Sequence, residues 1–188
     1  MRGGPRFFRK MPPKLPICNF DARTGILCAN CQGRLERGEI SAADVEASKA
    51  ISQLAERLPE LGKVTLRRAF GASGSYVLEL EPGDLQSIRS NPDVKPDLEN
   101  ALKGKVWLVA AGSSDRKFLE DLLFPAKVVT VNTVWLPGGE KRTKVIVPGK
   151  KSDRRIGDFD KLRVAVKQAR GMELLVETER EAGLRTYG

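Results

Sequence analysis

Histidine is missing from all 188 residues. Its absence excludes Ser-His-Asp and Cys-His catalysis and removes the commonest metal ligand. Aromatic residues are few, at 6%, and none form the interleaved run that stacks nucleobases on a sheet. Cysteine occurs three times, which is no basis for a disulfide framework in a chain without an export signal. No apolar run reaches the roughly 20 residues needed to cross a bilayer. The opening MRGGPRFFRKMPPK carries charge but no apolar core, and its prolines and glycines argue against an amphipathic presequence. These absences predict a cytoplasmic protein with no membrane partner. Gly149-Lys150-Lys151 comes close to a P-loop but has no glycine five residues earlier, and Lys151 stands where Ser or Thr is needed. With no acidic metal cluster either, the expectation is a non-catalytic protein with no small-molecule substrate.

What the chain has in excess is positive charge. Lys and Arg number 33 against 24 Asp and Glu, giving a net charge of +9 and a pI near 9.7. That balance favours an anionic macromolecular partner. The excess is concentrated twice. Residues 1–17 form a basic arm with Arg2, Arg6, Arg9, Lys10 and Lys14 and no acid, in which Phe7 and Phe8 sit among the charges. The stretch 141–170 holds Lys141, Arg142, Lys144, Lys150, Lys151, Arg154, Arg155, Lys161, Arg163, Lys167 and Arg170, opposed within it by Asp153, Asp158 and Asp160. Charge runs are usually solvated faces. Here the single sign and the clustering predict a phosphate-binding surface.

The apolar spacing predicts a helix opening at Ser41, with Asp44 three residues on as a short capping box and Ile40 against Val45 as a staple. Ala47, Ile51, Leu54, Ala55 and Leu58 make its apolar stripe, and Pro59 stops it. Strands are expected at 63–70 and 75–80 around the turn Gly71-Ala72-Ser73-Gly74. Short helices at 84–88 and 94–102 are broken at Ser90-Asn91-Pro92, and a strand follows at 105–110. The order then recurs: a helix capped at Ser113 or Ser114 and stopped by Pro125, strands at 128–136 and 144–147, a basic loop, a helix from Asp158 to Ala169, and a strand at 172–176. This predicts an α+β fold of two repeated units, each a small sheet with helices on one face. The alternative is one mixed domain of seven or more elements.

The cysteines are Cys18, Cys28 and Cys31. With Asp21, three residues after Cys18, they form C-x2-D followed by C-x2-C, with Gly25 turning the chain between the halves. Thiolates and a carboxylate at that spacing are a donor set for one structural zinc. Free or buried thiols without metal remain the other reading.

The run LPICNFDARTGILCANCQGRLERGEISAADVEASKAI, and GILCANC followed by GEISAADVE in particular, resembles the N-terminal module of archaeal NusA-like KH proteins, as does DRKFLEDLLFPAKVVTVNTVWLPGGEKRTKVIVP further on. The resemblance spans about residues 16–178. It implies two tandem KH type II domains, αββααβ repeated, behind a zinc-knuckle-like module. The divisions are then 1–17 basic arm, 18–38 cysteine module, 39–112 first KH-like domain, 113–180 second and 181–188 tail. A KH domain carries GxxG between two helices, where the backbone meets phosphate. The first repeat has Arg89-Ser90-Asn91-Pro92 there and the second has Ser152-Asp153-Arg154-Arg155-Ile156-Gly157. Arg154 and Arg155 are therefore expected to bind phosphate by their side chains, helped by Lys150, Lys151, Arg142, Lys144, Arg163 and Lys167 and by the arm's Arg2, Arg6, Arg9 and Lys10. Arg89 is expected to be exposed and to contribute less. The expected partner is RNA: ribosomal RNA first, with ribosomal proteins around it, and a nascent transcript beside RNA polymerase as the alternative.

Overall fold

The computed structural model describes residues 12–72, 74–148, 159–179 and 183. Two short helices come first, α1 (Asn19–Thr24) and α2 (Ala29–Glu36). The first unit follows: α3 (Ala42–Leu54), a 3-10 turn at Leu61–Lys63, β1 (Leu66–Ala72), β2 (Ser75–Leu80), α4 (Pro82–Arg89), α5 (Val94–Leu102) and β3 (Lys105–Ala110). The second unit has α6 (Asp115–Leu123), β4 (Thr130–Trp135), β5 (Lys141–Val147), α7 (Phe159–Arg170) and β6 (Leu174–Thr178). Each unit has one three-stranded sheet, ordered β1-β2-β3 and β4-β5-β6, and in each the first pair is antiparallel and the second parallel. The architecture is α+β.

Local chemistry sets the boundaries. Ser41 caps α3 by accepting from the Asp44 N–H at 3.1 Å, while the Asp44 carboxylate accepts from the Ser41 N–H at 2.8 Å. The other Asp44 oxygen accepts from the Ala69 N–H at 2.6 Å, so the capping residue also fixes β1 against the helix. Such caps stabilise by about 1 kcal/mol, and burial without a partner would reverse the sign. Ser114 caps α6 through the Lys117 N–H, and the helix ends at Leu123, before the cis Phe124–Pro125 peptide. The β1–β2 hairpin closes at Ala72 and Ser75, with Gly74 at φ +72°.

Two features depart from the sequence expectation. Part of the arm is built into the fold: the Lys14 N–H donates to Val64 O, the Leu66 N–H donates back to Lys14 O, both at 2.9 Å, and Ile17 is buried. The first sheet also has helices on both faces rather than one. Leu78, Leu80, Val106, Leu108 and Ala110 face α3, α4 and α5. The alternating residues Val77, Trp107 and Val109 face the other way, into a core with Phe118, Leu119 and Leu122 of α6 and Leu162, Ala165 and Val166 of α7. That core continues to Val145, Val147, Leu174 and Val176 of the second sheet. Helices α6 and α7 thus lie between the two sheets, and the units share a core. Each large side chain buried there contributes roughly 1.5–3 kcal/mol.

The cysteine module has a small core of its own, with Ile17, Ala22, Cys31, Ile40 and Val45 buried together. The Ile40–Val45 staple therefore joins the module to the start of α3.

Candidate metal centre and basic surfaces

The two halves of the cysteine motif use one local device. Cys18 and Cys28 are the N-caps of α1 and α2, and Asp21 and Cys31 are the third residues of those helices. Cap geometry turns an N-cap side chain toward the third residue of its helix, so a spacing of three brings each pair together. Gly25, left-handed at φ +79°, closes α1 with its N–H on Asp21 O and lets the chain reverse. The donor atoms of Cys18, Asp21, Cys28 and Cys31 all lie within 4.8 Å of one another. Tetrahedral ligands about 2.3 Å from a zinc sit roughly 3.8 Å apart, so a small contraction would suffice. These four side chains could hold a metal ion.

Backbone N–H groups surround the cluster. The Asp21 N–H points at Cys18 Sγ and the Cys18 N–H at Cys31 Sγ, both at 3.5 Å, while the Cys28 N–H donates to Asp21 Oδ2 at 2.9 Å. Asp21 and Cys31 are buried; Cys18 and Cys28 are exposed. Burial works against the Asp21 charge, but the Cys28 N–H and the thiols of Cys18, Cys31 and Cys28 outweigh it and hold the carboxyl at about 2. Burial pushes the Cys31 thiol up to about 12, although the Cys18 N–H favours its thiolate. Asp21 Oδ1 is buried and has no hydrogen-bond partner among the described residues. An oxygen in that state costs free energy unless something binds it.

The basic residues singled out from sequence fare differently. Arg2, Arg6, Arg9, Lys10, Lys150, Lys151, Arg154 and Arg155 lie outside the described residues. The other four each meet a carboxylate: Arg142 with Glu140 at 3.3 Å, Lys144 with Glu177 at 2.8 Å, Arg163 with Asp160 at 3.3 Å, and Lys167 with Glu173. Glu140 is a sequence neighbour just before the stretch 141–170, whereas Glu177 and Glu173 lie beyond it and are brought in by strand pairing and chain reversal, which counting charge along the chain does not register. Arg142 and Lys144 share one face of β5, and Arg163 and Lys167 are one turn apart on α7.

Arg89 is not the exposed loop residue that its position predicts. It is nearly buried, ion-paired to Asp121 of α6, and donates to Leu108 O at 3.2 Å and Asp121 O at 3.0 Å. Its guanidinium lies 4.4 Å from the centre of the Phe124 ring. Around it the units leave a groove of about 370 Å³, bounded by Asn91 and Pro92 of the α4–α5 loop, Lys95 of α5, Trp107 of β3 and Phe124. Lys95 is exposed as a residue, yet partial desolvation against the groove wall holds its ammonium below the usual lysine range; Glu99 offsets this, and Lys105 and Arg89 add to it. Sequence reading missed the groove because it lies where two repeats meet.

Among the described residues no helix is long and apolar enough to cross a membrane. No protein-family model matches the chain, and no curated protein matches it significantly. Among solved structures it is similar to the crystal structure of APE1850, at 17% identity over 70% of this chain and 96% of that one, with a TM-score of 0.43.

Proposed function

We propose that the chain is a non-catalytic RNA-binding protein of the archaeal NusA-like tandem KH kind, acting on structured RNA as a component of the small ribosomal subunit or a factor bound to it. The observation that carries the reading is the repeated order of elements. α3-β1-β2-α4-α5-β3 has the αββααβ order of a KH type II domain, and α6-β4-β5-α7-β6 follows it with the same strand arrangement. The net charge of +9 supports an anionic partner. The α4–α5 loop, Ser90-Asn91-Pro92, has no glycine, and Pro92 has no N–H to offer a phosphate. That loop favours contacts to shape and phosphate over the clamping of a single strand, and so favours ribosomal RNA over a nascent transcript.

In the same reading the cysteine module holds one structural zinc through Cys18, Asp21, Cys28 and Cys31. Three sulfur donors and one oxygen suit zinc, and the unpartnered Asp21 Oδ1 supports the oxygen as a ligand. Bound there, the ion would tie α1 to α2.

Fractionation of a cell extract tests the assignment. The protein should sediment with small ribosomal subunits and leave them in high salt. Recovery with RNA polymerase instead, free of ribosomal subunits, would move it to transcription.

A further inference from the structure

We propose that the end of the second hairpin is a stacking contact for a base of single-stranded RNA, with the Trp135 indole as the platform and Lys141 beside it for a phosphate; this rests on the RNA-binding reading above. The chain has two tryptophans, and the fold treats them oppositely. Trp107 is 6% exposed in the shared core, whereas Trp135, at the end of the edge strand β4, is 68% exposed. Water is a poor environment for a side chain of that size, and a flat π face with one N–H edge is what a nucleobase stacks on.

The neighbours leave the ring accessible. Directly across the ladder from Trp135 is Lys141, and the next pair on the same face is Thr133 with Thr143, side chains too short to cover an indole. Elsewhere arginines lie over the rings of Phe70, Phe124 and Phe118. Among the described residues no cation covers Trp135. Cross-strand partners stand about 5 Å apart at Cβ, so the Lys141 ammonium reaches the phosphate of a nucleotide stacked on the ring. Lys141 is free to do so, because it has no ion-pair partner among the described residues. Glu140, its neighbour in the sequence, is already engaged with Arg142.

The position makes this a contact of its own. The hairpin is at the start of β5, and the seven residues of that strand place its tip about 20 Å from the strand's other end. A base read at Trp135 would extend the RNA path along the second sheet. Stacking tolerates any base, so the contact selects unpaired nucleotides and not a sequence.

Tryptophan fluorescence and binding of a short oligouridylate, compared with a duplex RNA of equal length, test the proposal in the full chain. The oligouridylate should quench the exposed indole, and the quench should vanish in Trp135→Phe while affinity stays near wild type. Trp135→Ala should weaken the oligouridylate roughly tenfold, with an unchanged salt slope and unchanged duplex binding. Lys141→Ala should lower the salt slope by about 0.7, one phosphate on a single strand. Wild-type affinity of Trp135→Ala for the oligouridylate would overturn this contact and leave the RNA-binding reading standing. Equal losses on single-stranded and duplex RNA would overturn it too, as the mark of a structural role or of another surface. Failure of the wild-type protein to bind either RNA would overturn the underlying reading and this contact with it.

Discussion

Arg89, at the end of α4, closes an ion pair at 3.1 Å with Asp121 of α6, and their side chains are only 13% and 1% exposed. Asp121 also accepts from the Ala110 N–H at 3.1 Å and pairs with Lys117. One carboxylate thus joins the last strand of the first unit, its helix α4 and the first helix of the second unit. Arg170 makes the reverse connection, from α7 to Glu79 of β2 at 3.5 Å and to Ser113 O at 3.2 Å. The units are joined by two arginines pointing in opposite directions across a continuous apolar core.

Arg89→Ala should therefore destabilise the whole protein by about 3 kcal/mol, because it leaves a buried carboxylate short of a partner. Arg89→Lys should recover only part of this, since an ammonium cannot serve Asp121 and Leu108 O together while stacking on Phe124. Urea unfolding followed at Trp107 measures it. A midpoint unchanged in Arg89→Ala would show that the clamp is dispensable.

Most of this fold is legible in the chain, and what is not has a common cause. The strands 75–80 and 105–110 and the helix 94–102 can be read off to the residue, because their apolar content and their Gly and Pro boundaries agree. The Ser41–Asp44 box could be read because both partners are local. The joining of the units could not: Arg89 and Asp121 are 32 residues apart, and nothing near either names the other. One signal was there to find. KVWLVA is apolar without alternation, the mark of a strand buried on both faces, and β3 is such a strand. In the candidate metal site the spacing alone brought the four donors to notice. That Cys18 and Cys28 are both helix caps was hidden, because α1 and α2 are too short to show a period.

Protein prepared without metal-binding tags should contain one zinc. Asp21→Asn should weaken zinc binding by at least about tenfold, and Cys28→Ser with Cys31→Ser should abolish it. Removing the ion with a chelator should speed amide exchange in α1 and α2 while leaving the two sheets protected. Equal metal in the wild type and the double serine variant would rule the site out.

Lys95 offers a titration test of the groove between the units. Lys95 is an exposed residue, but the groove wall partly desolvates its ammonium and disfavours the charged form, so its folded pKa lies below the unfolded value near 10.5. The folded state therefore gains stability as pH rises through the folded pKa toward 10.5. An RNA phosphate in the groove stabilises the ammonium and should move that titration upward. Side-chain NMR of Lys95 with and without RNA reads the shift; an unmoved titration on saturation would place the phosphates elsewhere.

The basic residues that follow β5 in the sequence should dominate phosphate binding. Arg154→Ala together with Arg155→Ala should weaken RNA at least tenfold, about 1.4 kcal/mol, with an unchanged melting temperature. Arg89→Ala, which alters the clamp between the units, cannot serve as the matching change in the first unit; Lys95→Ala is the fair comparison and should cost less. Equal costs would mean that both units share the RNA.

The dependence of RNA affinity on salt tests the central claim most directly. If about five phosphates are engaged by the chain's excess cations, affinity should fall roughly a hundredfold or more between about 50 and 200 mM monovalent salt. The slope should be shallower in Arg154→Ala with Arg155→Ala. Affinity that hardly moves with salt, or no binding to RNA in low salt, would contradict the account.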